Sequence, residues 1–244
     1  MKVGRRLAIK VLNASRFALG RLAGPDGGIE TRLLTAVTAP LDRALLGRLA
    51  EVVDDATAAF EGYDYTRALE RTETFFWSFC DDYLELVKTR AYGDPGDPGP
   101  ASAQAALATA LSVQLRLLAP FLPFVTEEVW SWWQSGSIHT ASWPTCEELD
   151  SSADENAEDK EAGDGAGTVL EVTSEVLGRI RHAKTAAKRS MRATVASLTV
   201  ADTPERLAAL LAAEGDLRDA GGVRSLATVE AEEPAVEVVL ADES

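Results

Sequence analysis

The sequence is sparing with the residues that build metal and redox centres. In 244 residues it has two cysteines, Cys80 and Cys146, and two histidines, His139 and His182. A structural zinc site needs about four ligands at close spacing. These four side chains sit in different segments, so no metal site is expected. Cys80 falls in an aromatic helical segment and Cys146 at the edge of an acidic loop, which suits packing and surface roles rather than a disulfide. The sequence also lacks a glycine-rich phosphate loop, a nucleophile elbow and a metal-type His/Glu motif. Glu127 and Glu128 read as the first turn of a helix starting near Thr126, and Trp130, Trp132 and Trp133 as core or interface residues. No catalytic residue is predicted. No apolar run approaches the roughly 20 residues that span a bilayer, and Met1-Lys2-Val3-Gly4-Arg5-Arg6 leads into no signal-peptide core. The expected location is the cytoplasm.

Apolar content of 46% and charged content of 26% are ordinary for a globular protein, and 244 residues allow one large domain and a small one. A net charge of -15 argues, as an average, against a polyanionic partner. The charge is not uniform, however. Lys2, Arg5, Arg6, Lys10, Arg16 and Arg21 all precede the first acid, whereas Glu147 to Asp164 is dense in Asp and Glu. Exposed charges further apart than a Debye length of about 10 Å barely sense one another at moderate salt, so a local basic face can still meet RNA.

Along the chain, Leu7, Val11, Ala14, Ala18 and Leu22 recur at helical steps, and the helix should stop at Gly24-Pro25-Asp26-Gly27-Gly28. A second helix is expected from Pro40 to about Phe60, closed by Gly62. A third, capped by Asp64, should run through Phe75, Phe76, Phe79 and Tyr83 to Val87. Ala101 to Leu118 forms a fourth, and Pro120 and Pro123 separate it from Val125 to Trp133. Together they predict a mainly α protein: an antiparallel helix bundle over residues 1–145. Ser137 to Pro144 should be an extended strip laying Ile138 and Trp143 on the bundle. Residues 146–168 are acidic and nearly free of large apolar side chains, and are expected to form a flexible linker.

Residues 169–244 then predict a small α+β unit in the order helix, strand, helix, strand, strand. Its elements are Val169 to Ser190, Val195 to Val200, a helix capped at Thr203-Pro204, Val223 to Val229, and Val236 to Leu240, with a turn at Glu230 to Pro234 joining the last two.

Two faces carry binding chemistry. At 100° per residue, Arg6, Lys10, Asn13 and Phe17 fall in one arc opposite the Leu7/Val11/Ala18 stripe, with Arg16 at its edge. Unpaired RNA loops are read by this combination: cations meet phosphates, an amide pairs with base edges, and a ring stacks on a base. The alternative is a solvated face with Phe17 covered by a neighbouring helix. Arg181, Lys184 and Lys188, in a run that also contains Arg179, His182, Arg189 and Arg192, share a face that could follow a phosphate backbone. The alternative there is a solvated stripe offset by Glu171 and Glu175.

Four stretches, in order, resemble one family. They are Lys10-Val11-Leu12-Asn13-Ala14-Ser15-Arg16-Phe17, the Phe76 to Lys88 segment, Leu118-Ala119-Pro120-Phe121-Leu122-Pro123-Phe124-Val125-Thr126-Glu127-Glu128-Val129-Trp130, and Ser137-Ile138-His139 with Trp143-Pro144. They are similar to the anticodon-binding domain of class I aminoacyl-tRNA synthetases for branched aliphatic amino acids, in the valyl rather than the isoleucyl form. The resemblance implies that the helix with Lys10, Asn13, Arg16 and Phe17 contacts the anticodon loop. It implies tRNA, specifically valine tRNA, as partner, together with the synthetase's catalytic core in cis or in trans, and neither DNA nor a membrane. ATP and valine would be used by that core, whose HIGH and KMSKS signatures are absent from these residues; no cofactor is expected here. A free-standing interaction module derived from a synthetase, or the isoleucyl equivalent, is the alternative. No heptad pattern that would mark a coiled coil follows Val236.

Overall fold

The computed structural model describes residues 2–23, 34–94, 96–150 and 163–242. Helix α1 (Lys2–Leu22) follows the expected stripe, with Leu7, Val11, Ala14, Ala18 and Leu22 all buried. Its expected stop at Gly24 to Gly28 lies outside the described residues. Pro40 occupies the first turn of α2 (Pro40–Glu61), where a missing N–H costs nothing, and Gly62 follows its last residue. Tyr63, at a φ of 59°, helps turn the chain, and Asp64 then caps α3 (Tyr65–Ser78) by accepting a hydrogen bond from Arg67 N at 3.1 Å.

The long aromatic helix expected to reach Val87 is interrupted. A π-helical segment, Phe79–Tyr83, precedes α4 (Leu84–Leu86), and a bend at Val87 separates off α5 (Lys88–Ala91). A π turn uses an extra residue and shifts the helical phase. Hydrophobic spacing hides the change, because Phe76, Phe79, Tyr83 and Val87 are buried on both sides of it. Helix α6 (Pro98–Leu118) starts three residues before the expected Ala101, with Pro98 in its first turn, and α7 (Pro123–Ser131) likewise starts at a proline rather than near Thr126.

Glu127 therefore lies past the first turn, and its carboxylate accepts from Ser137 Oγ and Ile138 N, both at 2.9 Å. These bonds anchor the strip that follows. Ile138 is buried in a short 3-10 turn, Ile138–Thr140, and Trp143 packs edge-on to Phe60 at 5.0 Å while its Nε1 donates to Thr57 Oγ1 at 2.9 Å. Cys146–Leu149 adds another 3-10 turn, closed by a capping box between Thr145 and Glu148. Residues 151–162 of the expected linker lie outside the described residues.

Two compact units divide the chain: Met1–Cys80 with Ala91–Glu155, and Asp81–Arg90 with Asn156–Ser244. In the first, α6 packs against α1, α2 and α3, and α7 against α1 and α6. A buried polar node fixes the start of α2: Ser102 Oγ donates to Asp42 Oδ2 at 2.6 Å and accepts from Thr38 N and Ala39 N at 3.0 Å. The second unit includes residues 81–90, a segment the sequence places with the bundle. Here α4 packs on α10 (Glu214–Gly221), and Arg90 pairs with Asp216.

The remainder of the second unit is a three-stranded sheet covered by helices. The strands β1 (Val195–Asp202), β2 (Val223–Glu230) and β3 (Ala235–Leu240) lie in the order β2-β1-β3, with β1 parallel to β2 and antiparallel to β3. The 230–234 turn thus joins strands that flank β1 rather than pair with each other. Parallel pairing requires a crossover, and α9 (Pro204–Leu211) and α10 supply it.

The sequence reading missed α10, which contains Gly215 and Gly221 and buries only Leu217 and Gly221. At Gly221 a Cβ would come within 2.9 Å of both Ile180 Cδ1 and Val223 Cγ2, so the close packing there needs glycine. Helix α8 (Gly163–Ala186) packs on α9, α10 and β3. Thr203 stands at the cap position of α9 but makes no side-chain cap bond; Asp202 Oδ1 instead accepts from Thr203 N at 2.8 Å.

Candidate nucleic-acid interface

The second face of α1 meets two aromatic rings from later in the bundle. Arg6 lies over the Trp77 ring at 5.0 Å and Lys10 over the same ring at 5.6 Å. Near the helix end, Phe17 packs T-shaped against Tyr92 with centroids 6.2 Å apart, and Arg21 lies 3.7 Å from the centre of the Tyr92 ring and 5.9 Å from that of Phe17. The two groups follow one another in the same order on α1 and on the α3–α5 run. Eleven helical residues from Lys10 to Arg21 amount to about 16 Å, with Asn13 exposed between the groups. Arg16 stands apart from them, over the Trp132 ring at 5.7 Å.

This arrangement refines the predicted arc. Arg6, Asn13 and Arg16 are exposed, whereas Lys10 and Phe17 are half-buried. At 100° per residue Lys10 and Phe17 sit about a quarter-turn from the core stripe rather than opposite it, which is why neighbouring rings reach them. Helix α1 contains six cations and no carboxylate, and an aromatic face beneath a cation helps to hold it in place. Trp77 is itself fixed, its Nε1 donating to Glu73 Oε1 at 3.1 Å.

The second expected face does not form. Lys184 is buried, 2% exposed, and its Nζ donates to Gly221 O at 2.7 Å and Met191 O at 3.0 Å. Burial pulls its pKa below the ordinary lysine value. Arg181 pairs with Asp82 at 3.2 Å, and Lys188 lies beyond the end of α8 at a φ of 55°. Glu171 and Glu175, proposed as the offset to this stripe, instead receive Arg206 at 3.2 and 2.8 Å. The i, i+3 and i+4 spacing is real on paper, but one member is structural and another is outside the helix.

Residues 42–197 match the family described as the anticodon-binding domain of tRNA ligase. The chain belongs to this family. It is 56% identical over 239 residues to a valine--tRNA ligase of Salinispora tropica, covering 96% of this chain and 27% of that protein. Over 226 residues it is 59% identical to a valine--tRNA ligase of Thermobifida fusca, covering 93% of this chain and 24% of that protein. With a valine--tRNA ligase of Leifsonia xyli the identity is 50%, again over 93% and 24%. The chain thus spans about a quarter of the length of the curated relatives it matches.

Within this anticodon-binding domain, sequence reasoning picked out the α1 residues of the candidate face and missed the neighbouring rings Trp77, Tyr92 and Trp132, as well as Arg21 beside Tyr92. Trp77 carried a usable signal. It stands one residue after the buried Phe75-Phe76 pair and so off the core stripe of α3, where a large aromatic calls for a partner. Tyr92 directly follows α5, in a turn where no periodicity operates. The domain's matched residues contain all three rings, whereas α1 ends at Leu22 and lies outside them.

Proposed function

We propose that the chain is the anticodon-recognition portion of a valine–tRNA ligase, and that the α1 face with Lys10, Asn13, Arg16 and Phe17 holds the anticodon loop of valine tRNA. The observation that supports this reading best is the row of cations laid over rings along an acid-free helix. Such a row offers phosphate contacts and stacking surfaces together, as unpaired RNA requires. The names of the relatives favour valine over isoleucine as the cognate amino acid.

Activation of valine with ATP and its transfer to tRNA would belong to a catalytic core outside these residues, held in cis or in trans and acting in the cytoplasm. This portion contributes no chemical group of its own. It raises the rate by holding the tRNA so that the remote acceptor end is placed at that core, since misplacement forfeits the gain from orientation.

The test is the affinity of the chain for a valine tRNA, with Lys10→Ala and Phe17→Ala combined. Loss of one stacked base and one phosphate contact is expected to weaken binding at least tenfold, with unchanged circular dichroism. Unchanged affinity in the folded double variant would remove the α1 face from the assignment.

A further inference from the structure

We infer that Tyr92, held by Arg21, is a second base-stacking station, separate from the Phe17 contact and placed to receive an unpaired base of the RNA loop. The inference rests on the reading of α1 as an RNA face.

Tyr92 is a large aromatic residue left 58% exposed in a turn, yet its ring is not free to wander. The Arg21 guanidinium lies 3.7 Å from the ring centre, a stacking distance, and Phe17 meets it edge-on at 6.2 Å. Arg21 Nε is buried without a hydrogen-bond acceptor among the described residues. The ring contact therefore matters more for placing this guanidinium than any bond from Nε does. A ring that is exposed but already ordered pays little entropy when a base stacks on it. A guanidinium beneath it adds positive charge close to the path of the phosphates.

The position of the station follows from the helix. Trp77, with Arg6 and Lys10, marks one end of the face, and Tyr92, with Phe17 and Arg21, marks the other, about 16 Å along α1 from Lys10 to Arg21. Exposed Asn13 lies between them, with an amide able to pair with a base edge. A few splayed nucleotides cover that span, which matches the way loops are read when their bases are turned outward. Trp77 is the less accessible of the two rings, half-buried and covered by two cations, whereas Tyr92 keeps more than half its surface open.

The experiment measures binding of the full 244-residue chain to a fluorescently labelled valine-tRNA anticodon stem-loop. The variants are Tyr92→Ala, Tyr92→Leu and Tyr92→Phe, each checked for a native melting curve, with Phe17→Ala alongside. The stacking station predicts a loss of about five- to a hundredfold for both Tyr92→Ala and Tyr92→Leu, and affinity within about twofold of wild type for Tyr92→Phe. Tyr92→Leu keeps apolar bulk over Arg21, so its loss reports the π-face rather than the fold. If Phe17→Ala weakens binding while Tyr92→Ala and Tyr92→Leu do not, the station is wrong and the proposed function stands. A loss in Tyr92→Phe equal to that in Tyr92→Ala makes the hydroxyl the contact and overturns stacking. If neither Phe17→Ala nor any Tyr92 variant changes affinity, the α1 reading fails and the inference fails with it.

Discussion

Arg90 and Asp216 meet as a two-pronged pair: Nε donates to Oδ1 and Nη2 to Oδ2, both at 2.8 Å, with side chains 16% and 11% exposed. The partners are 126 residues apart in the chain. The fork ties α5's neighbourhood, residues 81–90, into the second unit, where α4 also packs on α10.

Removing one partner takes two charge-assisted hydrogen bonds from a mostly buried charge. Arg90→Ala is expected to destabilise the protein by about 2–3 kcal/mol. Arg90→Lys should recover only part of this, because an ammonium cannot make both bonds of the fork. Urea unfolding measures the loss, and amide exchange across residues 84–90 should show the segment loosening first. Equal stability of Arg90→Ala and wild type would refute the structural weight given to the pair.

Lys184 gives a pH dependence of opposite sign to that of a lysine in a salt bridge. Burial lowers its pKa, so between that lowered value and the ordinary 10.5 the unfolded chain binds more protons than the folded one. The Lys184 contribution to stability therefore rises as pH rises through this window. Lys184→Met keeps the stem but orphans the Gly221 and Met191 carbonyls, costing about 1–3 kcal/mol. The wild-type advantage over Lys184→Met, followed by urea unfolding from pH 7 upward, should widen with pH. The same variant should bind tRNA with unchanged salt dependence, since Lys184 faces inward.

Glu148 contributes with the same sign as Lys184, but at acid pH. Hydrogen bonds from Arg116, at 3.0 and 2.5 Å, hold its pKa below 4.5, with the Arg116 charge and Thr145 N adding to the shift. Its stabilisation is complete above the unfolded value and is lost as pH falls through the depressed folded value. Glu148→Gln should lower stability at neutral pH, and the wild-type advantage should vanish as pH falls below about 4.5, leaving the variant with a flatter acid limb. An acid limb identical in the two proteins would remove Glu148 from the account.

Cys146 should be slow to alkylate. Burial, followed by its Sγ–H···Oδ1 bond to Asp54 at 2.8 Å, pushes its pKa up to about 11 from 9.0. At pH 8 it then holds about a hundredfold less thiolate than an ordinary thiol. Asp54→Asn should accelerate iodoacetamide labelling by removing the adjacent charge and replacing the carboxylate with a weaker amide acceptor.

Much of the helical framework can be read from the sequence because local rules act alone there: Pro40 in the first turn of α2, the Asp64 cap, and the buried stripe of α1. What escaped depends on distant partners or on shifts that spacing conceals. The π segment at Phe79–Tyr83 leaves the apolar spacing intact, and the position of β1 between β2 and β3 is a matter of crossover rather than periodicity. On the candidate face, spacing picked out Lys10, Asn13, Arg16 and Phe17 from one helix, but Trp77 and Tyr92 approach from 67 and 75 residues beyond Lys10 and Phe17. The same logic misread Lys184, whose place on a basic stripe gave no hint that Gly221 and Met191 would draw it inward.

The central claim is that α1 lies against the anticodon loop, and site-specific photocrosslinking from Asn13 tests it most directly. Asn13 is exposed between the Trp77 and Tyr92 groups, so a photoreactive side chain there disturbs neither ring. Irradiation with a valine tRNA should yield crosslinks confined to the anticodon loop, abolished by excess unlabelled tRNA. Crosslinks elsewhere on the tRNA, or none under conditions where the tRNA is bound, would contradict the assignment.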